Sequence, residues 1–114
     1  MPELELAVLV GSQANGTATA NSDWDIAIRW MKHISPLDQL ALEAKLVQHI
    51  AQTLGIHSDH VDLIQIGAAK LAMREVVANQ GISLKGEQTL AWFHFLTQTW
   101  AEVEDFYWRK NHAA

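Results

Sequence analysis

The sequence has no cysteine, which excludes a disulfide framework and any thiolate metal site. It has no apolar run approaching the ~20 residues that span a bilayer. The opening Met1-Pro2-Glu3-Leu4-Glu5 lacks the basic and apolar regions of a secretory signal, so a cytoplasmic protein is expected. Basic residues are scarce: eight Lys and Arg face thirteen Asp and Glu, for a formal net charge of −5, and none of them cluster. A protein that holds DNA or RNA by its phosphates carries a basic patch, so no direct grip on nucleic acid is expected. A nucleotide held through metal ions remains compatible with this balance, because cations reconcile acidic side chains with an anionic ligand. Repeats, linkers and low-complexity tracts are also missing.

What is present is a chain of 114 residues, 49% of them hydrophobic, enough for one core and one domain spanning residues 1–114. Leu4 to Val10 is apolar and β-branched and ends at Gly11, the pattern of a buried strand. A turn-rich stretch follows from Ser12 to Ser22. From Asp23 to Trp30 the pattern alternates with period two. Trp24, Ile26, Ile28 and Trp30 fall on a core face, and Asp23, Asp25, Ala27 and Arg29 on a working face. Ser35-Pro36-Leu37-Asp38 starts a helix, with Ser as N-cap and Pro at the first position. Leu37, Leu40, Ala41, Ala44, Val47 and Ile50 follow helical spacing up to Gly55. A third strand is expected from His60 to Ile66, a helix from about Ala69 to Asn79 with Gly81 as its C-cap, a short edge strand at Ile82–Leu84, and a final helix from Glu87 to Lys110. The order predicts an α/β domain, one mixed sheet packed with helices.

The chemistry sits in one spacing: Gly11-Ser12, ten residues, then Asp23-x-Asp25. Aspartates at i and i+2 of a strand project from one face, roughly 7 Å apart at their bases. They can converge on two divalent ions about 3.5–4 Å apart, the arrangement of in-line phosphoryl transfer. Carboxylate oxygens suit Mg²⁺, which is readily shared between protein and substrate phosphates. Asp62 could add a third carboxylate from another strand. Gly11 lets the backbone approach a phosphate, and the Ser12 hydroxyl with the N–H groups after it can donate to a triphosphate. At average residue frequencies this spacing arises by chance in roughly one chain in a thousand of this length.

Gly11-Ser12-Gln13-Ala14-Asn15-Gly16, followed by Asn21-Ser22-Asp23-Trp24-Asp25-Ile26-Ala27-Ile28, resembles the signature of the polymerase-β-type nucleotidyltransferase superfamily. The size is similar to that of its minimal members, the MNT-domain (MntA-type) antitoxins paired with HEPN-domain ribonuclease toxins. The resemblance implies a nucleotidyltransferase-like fold with Gly11 and Ser12 on the triphosphate of ATP. It implies Mg²⁺, two ions, on Asp23 and Asp25, with Asp62 as the third, catalytic carboxylate. It also implies AMP transfer to the partner toxin, in the better-studied pairs to a tyrosine, within a hetero-oligomer. Gln13 and Trp24 depart from the family, which has an aromatic and a small aliphatic residue there. Many relatives also carry a helix before the first strand, which here starts almost at Met1.

Other residues divide between a chemical and a plain role. Arg29 either touches phosphate or neutralises the carboxylates. His57 and His60 read as surface residues rather than zinc ligands, and Lys70, Arg74 and Lys85 as solvated cations. In the last helix Trp92, Phe95, Leu96, Trp100, Val103, Phe106 and Tyr107 make a stripe wider than the usual ~100°. It serves either the core alone or the core and a partner interface. Three functions compete: an enzyme acting on a protein, a module that blocks its partner by occlusion, and a nucleotide sensor without transfer. The first is favoured, because an acidic domain this small has neither a basic RNA surface nor room for a second substrate domain.

Overall fold

Strand β1 (Leu4–Val10) is apolar at almost every position because both faces of the sheet at its centre are covered. Leu4, Ala7 and Leu9 join one buried cluster with Ile26, Ile28, Trp30 and Leu46. Leu6, Val8 and Val10 join a second with Ala27, Ile66, Val77 and Phe95. A strand buried on both faces shows a continuous hydrophobic run in place of alternation. Leu4 and Leu6 fall on opposite faces although they are two apart. The ladder to β2 (Trp24–Trp30) explains this: its register shifts between Leu4, opposite Trp30, and Leu6, opposite Arg29. Glu5 is the extra residue of the bulge, and a bulge reverses the alternation.

The computed structural model describes residues 1–113. Its sheet has the order β3-β2-β1-β4, with β3 at Val61–Gln65 and β4 at Ile82–Lys85. β1 is antiparallel to β2 and to β4, while β2 and β3 run parallel. The parallel pair is joined by helix α2 (Pro36–Leu54), a crossover of the length a parallel connection needs. The mixed sheet flanked by helices agrees with the predicted fold class, and the edge strand after Gly81 is present. Among the described residues no helix is long and apolar enough to cross a membrane.

Three local expectations change. The second face of β2 is only partly a working face, because Ala27 is fully buried under the second cluster. In α2 the residues facing the sheet are Leu42, Leu46 and Ile50, while Leu37 and Leu40 are 77% and 65% exposed. An i, i+4 stripe outcompetes the broader set once the helix axis is fixed. Gly81 does cap helix α3 (Leu71–Gln80), but with φ −72° rather than a left-handed backbone. It is glycine for space: a Cβ there would lie 2.3 Å from Val8 Cγ1 and 2.5 Å from the Val77 carbonyl oxygen. Ser35 caps α2 as expected, its hydroxyl accepting from the Asp38 N–H at 3.1 Å.

Helix α4 (Leu90–His112) settles its own stripe. Phe95, Thr99 and Val103 are buried, and Trp92 stacks on Phe95 with centroids 5.3 Å apart. Trp100, Phe106, Tyr107 and Trp108 are exposed. The first half of the aromatic stripe is core and most of the second is surface.

Candidate active site

The site forms where β1 ends and β2 begins, neighbours in an antiparallel pair. Gly11 follows β1 with φ 75° and ψ −158°, a region essentially closed to residues with a Cβ. The chain then makes one helical turn, α1 (Ser12–Asn15), ended by Gly16 in the left-handed conformation. The turn-rich segment is held by its own polar side chains. Asn15 Oδ1 accepts from the Thr17 N–H at 3.1 Å, and Ser22 Oγ accepts from the Thr19 N–H at 2.8 Å. Gln13 Nε2 donates to the Ser22 carbonyl oxygen at 3.4 Å. Gln13, one of the two departures from the family pattern, thus ties α1 to the residue before Asp23. Trp24, the other, packs against the first core cluster.

Asp25 lies opposite Val10 on one side and Asp62 on the other. Its carboxylate faces Gly11 so closely that a Cβ on residue 11 would lie 2.5 Å from Asp25 Oδ2. The unusual backbone at Gly11 and the position of this carboxylate are therefore one feature. Asp62 occupies the same register on the adjacent parallel strand, and such strands lie about 4.8 Å apart. Burial, then the charge of Asp62, then that of Asp23, push the Asp25 carboxyl above its usual value. Three like charges at one end of the sheet disfavour ionisation of the most enclosed member.

The parallel register also pairs Trp24 with Val61, so the residues just before them, Asp23 and His60, are brought together. His60 Nδ1 lies 3.2 Å from Asp23 Oδ1. This contact was not legible in the chain, where the two residues are 37 positions apart. The only signal was His60 at the start of the expected third strand. His57 stays local, its Nδ1 accepting from the Asp59 N–H at 3.1 Å.

Gly11, Asp23, Asp25 and Asp62 therefore gather at one end of the sheet, with Ser12 beside them. Among the described residues no three His, Asp or Glu side chains close into a preformed metal cage. The donor set still fits Mg²⁺, which takes one or two carboxylates and completes its shell with substrate phosphate and water. The register supports this fit, since it sets Asp25 directly beside Asp62 and one alternation from Asp23. The other cations lie elsewhere. Arg29 faces a separate cavity, whose lining includes none of the three aspartates. Arg74 is paired with Glu102, Lys85 Nζ donates to the Met1 carbonyl oxygen at 2.6 Å, and Lys70 is exposed before α3.

Comparison with known proteins places this geometry. The family model described as polymerase beta, nucleotidyltransferase, matches residues 1–89. A protein adenylyltransferase MntA of Shewanella oneidensis (strain ATCC 700550 / JCM 31522 / CIP 106686 / LMG 19005 / NCIMB 14063 / MR-1) is 35% identical over 88 residues, 77% of this chain and 58% of that protein. One from Aphanizomenon flos-aquae (strain 2012/KM1/D3) is 31% identical over 84 residues, 71% of this chain and 56% of that protein. The chain thus spans a little over half the length of these curated relatives. A crystal structure of a toxin–antitoxin with AMP-PNP superposes with a TM-score of 0.71 at 28% identity, covering 97% of this chain and 84% of that one.

Proposed function

We propose that this chain, which belongs to the polymerase beta nucleotidyltransferase family, is an antitoxin that transfers AMP from ATP to a partner HEPN-type ribonuclease toxin and so neutralises it. The carrying observation is the contact between Gly11, in a glycine-only conformation, and the Asp25 carboxylate. It sets a backbone able to approach phosphate directly against an acidic pair. Both curated relatives are named protein adenylyltransferases, and a similar solved structure is a toxin–antitoxin with an ATP analogue.

In this reading Ser12 and the N–H groups after Gly11 donate to the triphosphate, holding its α-phosphate toward the acidic pair. Asp23 and Asp25, with Asp62, would hold Mg²⁺, two ions, which would neutralise phosphate charge and orient the leaving group. Asp62 is exposed at the edge strand, while Asp25 is partly buried. The Asp62 carboxylate accepts the proton of the attacking hydroxyl, a tyrosine of the toxin, as that oxygen bonds to the α-phosphorus. The bond from the α-phosphorus to the bridging oxygen breaks, and pyrophosphate leaves with its electron pair. The product phosphodiester puts negative charge on the toxin, where it opposes RNA phosphates. The exposed Trp100, Phe106, Tyr107 and Trp108 of α4 offer large amphipathic anchors of the kind protein interfaces use, and they support assembly with the toxin as a hetero-oligomer.

Catalysis and occlusion differ in stoichiometry. With ATP and Mg²⁺, a small fraction of antitoxin should silence excess toxin, and the toxin should gain the mass of AMP. Inhibition that needs equimolar antitoxin and no ATP, with toxin mass unchanged, refutes transfer and leaves occlusion.

A further inference from the structure

Beyond the acidic end of the sheet, a second polar cavity of about 230 Å³ lies between the far end of β2, the turn after β3, and helices α3 and α4. Arg29, Arg74, Gln98, Thr99 and Glu102 are the polar side chains that line it. Arg74 is committed to Glu102 and also donates through Nε to the Ala69 carbonyl oxygen at 3.3 Å. Arg29 is half-buried and, among the described residues, has no carboxylate at ion-pair distance. Thr99 is 1% exposed, and its Oγ1 has no hydrogen-bond partner. A half-buried guanidinium without a counter-charge and a buried hydroxyl without a partner are each unfavourable. Both residues line the same cavity.

We propose that this cavity is a binding site for one small oxyanion, a carboxylate or phosphate group carrying a single negative charge. The side chains set the charge: two guanidiniums against one carboxylate leave one positive charge to balance. The planar fork of Arg29 suits two oxygens of one acidic group, the Gln98 amide can donate to the remainder, and the Thr99 hydroxyl joins them once its side chain rotates toward the cavity. The site is separate from the acidic cluster. Arg29 and Asp25 share a face of β2 but stand four residues apart, about 13 Å at strand rise. Ala27, fully buried under Phe95 and Ile66, fills the interval. An anion here acts on the junction of α3 and α4 with the sheet rather than on the reacting phosphates.

The test is thermal unfolding of the whole chain in sodium acetate, sodium phosphate and sodium chloride at matched ionic strength and pH. Acetate, phosphate or both should raise Tm saturably by about a few degrees above chloride, as ligand linkage requires. Acetate and phosphate distinguish a planar from a tetrahedral ligand, and a response to either supports the site. The rise should vanish in Arg29→Gln and be weakened several-fold in Thr99→Val, which keeps the buried shape and serves if the arginine variant fails to fold. It should persist in Ser12→Ala. No rise over chloride overturns the proposal. So does a rise that survives both Arg29→Gln and Thr99→Val, or one that Ser12→Ala abolishes, since the anion then sits at the acidic end of the sheet.

Discussion

Replacing Gly11 by alanine separates the two things this residue does. Its backbone, at φ 75° and ψ −158°, lies where a residue with a Cβ is strained by about 1–3 kcal/mol. For a chain of 114 residues, an unfolding entropy of about 2.1 cal/mol/K per residue converts this into a loss of roughly 4–13 °C in Tm. The new methyl would also sit 2.5 Å from Asp25 Oδ2, well inside contact. That oxygen is the end of a side chain, so rotating Asp25 costs less than moving β1, and the carboxylate yields. A displacement of about 1 Å in a positioned group can cost on the order of 100-fold in rate. Gly11→Ala should thus stay folded, melt earlier, and lose most AMP transfer. Melting curves and mass spectrometry of the partner read the two effects separately. A double-mutant cycle with Asp25→Ala isolates the contact: without Oδ2 the clash disappears and the backbone strain stays, so the stability losses should not add. Wild-type Tm and rate in Gly11→Ala refute the reasoning, and strict additivity in the cycle refutes its steric half.

Asp25→Asn should abolish transfer and stabilise the metal-free protein. The Asp25 carboxyl is raised above 3.8 by burial and by its acidic neighbours, so the folded state holds this proton more tightly than the unfolded chain. The associated stability is complete below the unfolded value and is lost as pH rises through the raised folded value. The Tm advantage of Asn over Asp should therefore grow from acid toward neutral pH, and an advantage that is absent or shrinks with pH refutes the assignment. Along α4, Phe95→Ala should destabilise by about 3–5 kcal/mol as a buried aromatic. Tyr107→Ala, at an exposed position, should stay within about 0.5 kcal/mol yet weaken partner binding measured by calorimetry. Unchanged partner affinity removes the second half of the helix from the interface.

The fold was most legible where a local rule and the tertiary environment agree. Ser35-Pro36 at the start of α2 and the apolar run of β1 needed no knowledge of neighbours. The bulge at Glu5 did, because nothing in Leu4-Glu5-Leu6 signals that its two leucines enter different cores. Ala27 misled for a related reason. A small apolar residue between Asp25 and Arg29 looks like part of a polar face until Phe95, 68 positions later in the sequence, covers it. The stripe of α4 left open whether all of it is core, and the sheet and α3 cover it only as far as Val103.

The candidate site divides along the same line. Gly11 and the Asp23-x-Asp25 pair were legible because their geometry follows from two local facts, a strand end and strand alternation. Asp62 required pairing β3 beside β2 in parallel, and Asp25 opposite Asp62 is the outcome of that register. The same register carries His60 to Asp23, so no shift of β3 can preserve one contact and lose the other. A one-residue slip would turn Asp62 to the opposite face. The turn before β3 therefore acts through position, delivering the imidazole to one oxygen of Asp23 and leaving the other free. Sequence reasoning places a residue when its own strand fixes it. It misses a residue such as His60, whose position is fixed by the strand next door.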